Sequence, residues 1–594
     1  MEWNEINWRK VELAVFKLQK RIYQASKTDD VRKFRRLQKT LLNSYYAKLL
    51  AVRRVTQDNG GKKTAGVDGI KSLTPKQRLK LTSNLKLDYK SKPVRRVWIP
   101  KSNGKERPLG IPVMSDRAKQ ALVKTALEPE WEARFEPNSY GFRPGRSCQD
   151  AKEAIFTAIR FKSKFVLDAD ISKCFDRIDH QKLLEKINTF PKQRRQIKAW
   201  LKAGILDNGK TIFPVEGTPQ GGICSPLLTN IALHGMETMI KKYAASLKGN
   251  KADNMSSFSL IRYADDFLVI HEKFEHLIEC RKIIRNFLNN IGLEFNLEKT
   301  KITHTLQKYE GNIAGFNFLG FNFRQYPVGK HQSGKKPNGE KLGFKTIIKP
   351  SKEKVKEHYH NLAHIIDKHK AVPQHILIAK LAPVIIGWTN YYRSACSGET
   401  YSKVYNLTFR KLLRWGYRRH PNKSKKWVNN KYWHSIGMKN WCFSRKYKNE
   451  FISVLPRHPE TKIARHTKVK GDASPYDGNN NYWASRMGKH PEVKPSVAKL
   501  LKKQKGKCNH CNLTFKLEDK IELDHIVPRQ AGGNKLKDNL QLLHKHCHDV
   551  KTKADLKTIK RYKFRKGWNK VYIKFQKQFE KSHWIWDNDL PTLV

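Results

Sequence analysis

Two short apolar runs in this chain carry aspartates where a buried strand should carry none. In Lys164–Ile171 (KFVLDADI), Asp168 and Asp170 stand at i and i+2, on one face of the segment if it is a strand. About a hundred residues later, Ile261–Ile270 (IRYADDFLVI) sets Asp265 and Asp266 between two apolar halves, the pattern of a tight hairpin. Carboxylates taken from water without a partner are costly, so the fold has to supply a cation. Mg²⁺ suits the pattern, because it takes a few carboxylates together with substrate phosphates, and two such ions clamp the oxygens of a phosphoryl transfer.

The charge balance points to the same kind of substrate. Lys and Arg number 119 against 53 Asp and Glu, a formal net charge of +66 over 594 residues. That field calls for a polyanion, nucleic acid before membrane. Fourteen Trp and 39% hydrophobic residues exclude a disordered chain, and the length suits about four domains. The start, MEWNEINWRKVELAV, lacks the apolar core of a secretory signal. The most apolar stretch, His375–Trp388, is broken by Lys380 and Pro383. No membrane span and no export are expected, and an intracellular setting is; the family resemblance given below narrows it to the cytoplasm or nucleoid of a bacterium or to an organelle. Six of the nine cysteines are scattered, which fits a reducing interior.

Trp8, Val11, Val15, Leu18 and Ile22 form one helical stripe, so residues 1–60 read as a basic helical extension. Residues 61–325 alternate apolar runs, helical patterns and Gly/Pro punctuation, as an α+β catalytic body does. Gln325–Gly343 is rich in Gly, Lys and Pro, and residues 326–349 are expected to be a linker or loop between domains. Residues 350–470 read mainly as helices. Lys403–Lys470 holds 19 Lys and Arg against Glu450 and Glu460, with Trp415, Trp427, Trp433 and Trp441 interleaved. That mixture favours a surface for phosphates and unpaired bases, with Arg410, Lys411, Arg414, Arg418 and Arg419 as RNA contacts. Residues 471–495 suit a connector or a small basic contact module, which the family resemblance given below makes a DNA-binding connector. In the last segment, 496–594, Cys508 and Cys511 form one C-x₂-C pair, and Cys547 with His544 forms a second about 33 residues on. Together they make a tetrahedral structural zinc site, with His546 as the rival of His544 for the fourth position.

Tyr263-Ala264-Asp265-Asp266 resembles the YxDD box of reverse transcriptases, and six further segments resemble that family's other blocks in order. They are VWIPKSNGKERPLGIP, NSYGFRPGRSCQDA, ADISKCFDRIDH, GTPQGGICSPLLTNIAL, GLEFNLEKTKI and FNFLGF. FRPGRS, PQGGICSPLL and GWTNYYR (Gly387–Arg393) resemble the group II intron-encoded reverse transcriptase/maturases in particular. The resemblance implies a multidomain α+β chain: right-hand polymerase fingers and palm, a helical thumb or X domain, a small connector and a ββα-metal domain. It implies that Asp170 and Asp265 bridge two Mg²⁺ ions, with Asp266 a weaker ligand and Asp168 structural. By the same likeness Lys101 and Arg107 grip the incoming dNTP, Phe175 rejects a 2′-hydroxyl, Gln220 lines the nucleotide pocket, and Lys299 is a phosphate contact near the primer end.

IELDHIVP (Ile521–Pro528), Asp538-Asn539-Leu540 and His548 resemble the HNH nucleases appended to such proteins. There His525 is the general base, Asp524 and His548 hold one divalent metal, and Asn539 orients His525. A base titrating near neutrality and a cation at the leaving oxygen are what phosphodiester cleavage needs. The whole implies an enzyme that binds its parent intron RNA, assists its splicing and inserts it into target duplex DNA by target-primed reverse transcription, as a monomer or dimer on RNA. Two alternatives are a splicing cofactor without polymerase activity, against which the intact carboxylates argue, and a reverse transcriptase-nuclease of host defence.

Overall fold

The alternation of the two Asp-bearing runs becomes a four-stranded antiparallel sheet in the order Ser259–Tyr263, Asp266–His271, Phe165–Asp170, Lys301–His304. The computed structural model describes all residues except 1, 101–103, 105, 219, 330–331, 448–449, 480–481, 484–485, 487–494, 516–518, 535, 580–583, 588–589 and 594. Val166, Leu167, Phe267, Leu268, Val269 and Ile270 are fully buried, so both faces of the central strands are covered. One compact unit gathers Met1–Asn479 and a second gathers Val493–Val594.

In the first unit, the expected N-terminal stripe packs as drawn: Trp8, Val11, Val15 and Ile22 are buried, and helix Trp8–Lys27 lies on Val31–Asn43 and Met114–Glu132. A second sheet pairs Val94–Pro100 with Glu106–Ile111 antiparallel and with Ile205–Asp207 in parallel. Helix Cys148–Ile159 begins at a capping box in which Ser147 and Asp150 satisfy each other's backbone N–H.

Gln325–Gly343 differs from its expected role. Phe321–Pro327 and Phe344–Pro350 are paired strands of one sheet, so the Gly/Lys/Pro-rich stretch is the tip of a hairpin. Buried Phe321, Phe323 and Gln325 alternate with less buried neighbours, a period-2 pattern that the adjoining turn residues masked. Residues 350–470 are likewise not helical throughout. Helices Lys352–Lys368, Gln374–Tyr392, Gly398–Arg419 and Lys425–Tyr432 are followed by a meander, Trp433–Ile436, Lys439–Tyr447 and Glu450–Val454. Trp433 and Phe443 from this meander join Leu381, Val404, Leu412 and Trp415 in one apolar core. Residues 471–479, the start of the expected connector, belong to the first unit: Arg146 donates to the Gly471 carbonyl and Tyr476 to Glu128.

In the second unit, strands Ile521–His525 and Leu540–His544 pair antiparallel and lead into helix Lys545–Phe579, a ββα arrangement. Its core is small: Leu500, Leu501, Phe515, Leu542 and Leu543 around three cysteines. No helix among the described residues is long and apolar enough to cross a membrane.

The helical region also buries a histidine pair. His358 Nε2 lies 3.0 Å from His458 Nε2, and His358 stacks on Trp388. Burial lowers their pKa values to about 4 and about 3. The unfolded chain binds these protons near the ordinary value of about 6.5, so stability present above that pH is lost as pH falls toward 4. Denaturant midpoints of the wild type are expected to drop over this window, by at most about 1.4 kcal/mol per pH unit per histidine. His458→Gln is expected to flatten the slope; an unchanged slope would sink this account.

Candidate functional site

The sheet register places Asp170 directly opposite Asp266, with Asp168 two residues back on the same strand. Asp265 sits in the two-residue turn between paired Tyr263 and Asp266. Ala264 begins this turn at φ +59°, a conformation hairpins ordinarily give to Gly or Asn. Arg262 holds it there. Only 1% exposed, its guanidinium donates to Asn230 Oδ1 (2.9 Å), the Ala264 carbonyl (3.1 Å) and Ser139 Oγ (2.7 Å). Gly141 lets the neighbouring loop close on the turn, since a Cβ there would lie 2.3 Å from the Ala264 nitrogen.

These carboxylates carry more negative charge than their surroundings offset. Burial, then repulsion from Asp265 and Asp170, pushes Asp266 up to about 7. Burial does the same to Asp168 despite Lys301, and raises Asp265. The direct counter-charge is Lys299, whose ammonium bonds Asp170 Oδ2 and is itself raised by that bond. Oxygen donors with this surplus fit a hard divalent cation.

Beside the carboxylates, Arg107 Nε donates to Gln220 Oε1 (3.0 Å), and Gln220 Nε2 to Asp176 Oδ2 (3.3 Å). Phe175 precedes Asp176, is 7% exposed and meets Phe142 edge-on. Arg107, Gln220 and Phe175 are thus brought together, and Lys101 lies outside the described residues. Sequence reasoning missed Asp176 and Arg262. A lone Arg inside the apolar run of Ile261–Ile270 was the available signal for the latter.

On helix Gly398–Arg419, Arg410, Arg414 and Arg418 form an exposed stripe at i, i+4, i+8. Lys411 is tied to Asp367 (2.7 Å), and Arg419 to the carbonyls of Lys370 and Val372 while covering Trp415. Two of the four interleaved tryptophans are unsuited to base stacking: Trp415 and Trp433 are buried in the core, whereas Trp427 and Trp441 are exposed.

In the second unit, donor atoms of Cys508, Cys511, His544 and Cys547 lie within 4.8 Å of one another, all buried. His544 presents Nδ1 to Cys511 (3.3 Å) and Nε2 to Asp519 (3.3 Å), the outer partner a metal-bound imidazole requires. His544 therefore completes the set, and His546 stacks on its ring. Hydrogen bonds from Cys511 and Cys547 drive Cys508 strongly toward thiolate. A buried Cys₃His set of this kind suits zinc.

His548 Nε2 is 3.7 Å from Asp524 Oδ1, so those two are also brought together. Lys551, one helical turn on and absent from the sequence reading, bonds Asp524 Oδ2 at 3.1 Å. Among the described residues the His525 ring has no hydrogen-bond partner. Asn539 makes no hydrogen bond to that ring; its backbone carbonyl accepts from the Ile526 N–H and its side chain bonds the Val527 N–H and carbonyl (2.8 and 3.0 Å) and the Asn534 carbonyl, fixing the backbone that follows His525. Gly533 is obligatory there, because a Cβ would lie 2.0 Å from the Val527 oxygen.

The segments that carry the carboxylate hairpin, the carboxylate strand and the Cys₃His cluster match known families in sequence. Residues 99–323 match the reverse transcriptase (RNA-dependent DNA polymerase) family, 3–85 the N-terminal domain of reverse transcriptase, 355–433 the group II intron maturase-specific domain, and 508–554 the HNH endonuclease family. The protein YkfC of Escherichia coli is 31% identical over 330 residues, 49% of this chain and 85% of YkfC. The group II intron-encoded protein LtrA of Lactococcus lactis is 32% identical over 308 residues, 42% of this chain and 51% of LtrA, so the match spans about half of that relative. An uncharacterized 91 kDa protein in the cob intron of Schizosaccharomyces pombe is 31% identical over 277 residues, 38% of this chain and 34% of that protein. The reverse transcriptase and HNH matches make the chain an RNA-directed DNA polymerase joined to a DNA endonuclease. The chain belongs to the group II intron-encoded reverse transcriptase/maturases that carry an HNH domain, the class that assists intron splicing and mobility.

Replacing Arg262 by Met leaves Asn230 Oδ1, Ser139 Oγ and the Ala264 carbonyl without their donor, at about 1–3 kcal/mol for each buried group. DNA synthesis by Arg262→Met is expected to fall at least about tenfold, as the Asp265 turn relaxes, with zinc content unchanged. Full activity would mean that the turn holds itself.

Proposed function

We propose that this chain copies its parent group II intron RNA into DNA, assists that RNA to splice, and cuts target duplex DNA so that the exposed 3′ end primes the copy. The carrying observation is the register that sets Asp170 against Asp266 with Asp265 at the turn. In this reading the four-stranded antiparallel sheet is the palm, the Val94–Ile111 hairpin the fingers and residues 350–470 the thumb. Asp170 and Asp265 hold two Mg²⁺ ions, Asp266 lies beside them as a weaker ligand, and Asp168 stays structural. When bound, the ions neutralise charge on the attacking and leaving oxygens.

The chain's own residues position the substrate. Arg107, steadied by Gln220, and Lys101 grip the triphosphate of the dNTP, with Arg107 offering paired donors to its oxygens. Phe175 packs under the sugar and excludes a 2′-hydroxyl. Lys299 exchanges Asp170 for a phosphate near the primer end. Arg410, Arg414 and Arg418 contact intron RNA phosphates, while Lys411 and Arg419 chiefly fix the shape of that surface.

In the second unit Cys508, Cys511, His544 and Cys547 hold a structural Zn²⁺. Asp524 and His548 would hold the nuclease cation, whose charge would favour the leaving oxygen, and Lys551 is the partner Asp524 would give up. His525 takes the proton from the attacking water at its free ring nitrogen. Asn539 keeps the intervening loop shut.

Substitutions separate these tasks. Asp265→Ala is expected to abolish primer extension on RNA while intron RNA binding and splicing stay near wild type; joint loss in a folded protein contradicts the reading. His525→Ala is expected to keep zinc but to stop DNA nicking, with DNA synthesis intact. Cys508→Ser is expected to lose zinc and the protease resistance of residues 496–594, because the metal supplies much of that unit's folding free energy. Nicking by His525→Ala at the normal rate, or retained zinc in Cys508→Ser, would overturn these assignments.

A further inference from the structure

Away from the carboxylates, the first unit has an open cavity of about 550 Å³ between helix Cys148–Ile159, the hairpin Phe321–Pro350 and the segments around Ala395 and Ala464. Its floor is apolar: Phe156, Phe161, Leu342, Phe344 and Ile348. Besides Lys152, four cations line it: Arg160, Lys335, Lys345 and Arg465. Among the described residues none of the four makes an ion pair. Glu153, the one acid in the wall, is already paired with Lys152 at 3.2 Å. Arg160 lies over the Phe161 ring at 4.3 Å, a flat cationic and aromatic surface suited to a planar partner.

An apolar floor gives nothing to an inorganic anion, and four unpaired cations gain nothing from a neutral apolar ligand. A group that is flat and apolar at one end and anionic at the other satisfies both. We infer that this cavity takes an unpaired nucleotide of bound RNA, its base on the phenylalanine floor and its phosphodiester at the Lys345 and Arg465 cations. The inference rests on the RNA-binding reading above and adds a site that engages flipped or single-stranded residues but not a paired helix. Stacking of this kind accepts any base and is independent of salt, whereas phosphate contacts are not.

Ala464→Trp fills the cavity without changing charge, and Thr346→Trp fills it from another wall if the first variant fails to fold. Primer extension on a short template serves as the folding control. The probes are a 20-nucleotide single-stranded RNA, its blunt duplex, and AMP. Each filled variant is expected to bind the single strand roughly tenfold more weakly with an unchanged salt slope, and the duplex as the wild type does. Lys345→Gln with Arg465→Gln is expected to reduce the slope for the single strand by about 1.4. The exposed thiol of Cys396, in the same wall, is expected to be shielded from a maleimide by the single strand and not by AMP. Wild-type affinity of a folded filled variant for the single strand overturns the inference, as does equal protection by AMP, which would mark a free-nucleotide site. Either result leaves the proposed function standing if the wild type binds intron RNA; a wild type without RNA affinity overturns both.

Discussion

Carboxylates crowded at the end of an apolar sheet are the constraint around which the first unit is built. The apolar neighbours of Asp168, Asp170 and Asp266 on these strands are among the most buried residues in the protein, whereas Asp168 and Asp170 are half-buried and Asp266 is solvent-exposed at the strand end, so crowding of like charges at one edge of the sheet, with partial desolvation, is what a cation answers. Lysines answer in part, Lys299 at Asp170 and Lys301 near Asp168. The remaining surplus shows in acids raised to about 7 at Asp168 and Asp266. The neighbourhood is organised to keep that surplus in place: Arg262 pins the turn from beneath, and Gly141 lets the next loop close over it.

The second unit meets a different shortage. Its apolar core is a handful of residues, too few to support a stable fold at this size without a staple. The Cys₃His cluster sits within that core, so a metal there joins the two knuckles and fixes the start of helix Lys545–Phe579. The same helix carries His548 and Lys551 to Asp524. In both units a lysine bonds a carboxylate proposed to hold a catalytic cation, Lys299 at Asp170 and Lys551 at Asp524. Each lysine lowers the cost of the buried charge and is able to give way.

Much of this was legible in the residues. Period-2 runs marked the Asp-bearing strands, and the paired knuckles marked the zinc cluster with His544 preferred over His546. Helical spacing marked the N-terminal stripe. What failed or stayed open did so for physical reasons. Gln325–Gly343 left loop and inter-domain linker both open because turn chemistry at a hairpin tip uses the same Gly, Lys and Pro, and the pairing of its flanking strands makes it the loop. The meander 433–454 was hidden by its positive charge, and Trp415 and Trp433 serve the core where bases had been expected. Asn539 reaches His525 only through the backbone of Ile526 and Val527, which it hydrogen-bonds. Arg262, Asp176, Asp519 and Lys551 act through partners distant in the chain, and local pattern carries no record of such pairs.

The central claim is that the Asp170, Asp265 and Asp266 cluster is completed by divalent ions. The most direct measurement is Mn²⁺ binding followed by electron paramagnetic resonance, with an RNA template, a DNA primer and a non-reacting dNTP analogue present. The wild type is expected to bind two more Mn²⁺ ions than a folded Asp170→Asn, Asp265→Asn variant. Equal binding by the two proteins would contradict the account.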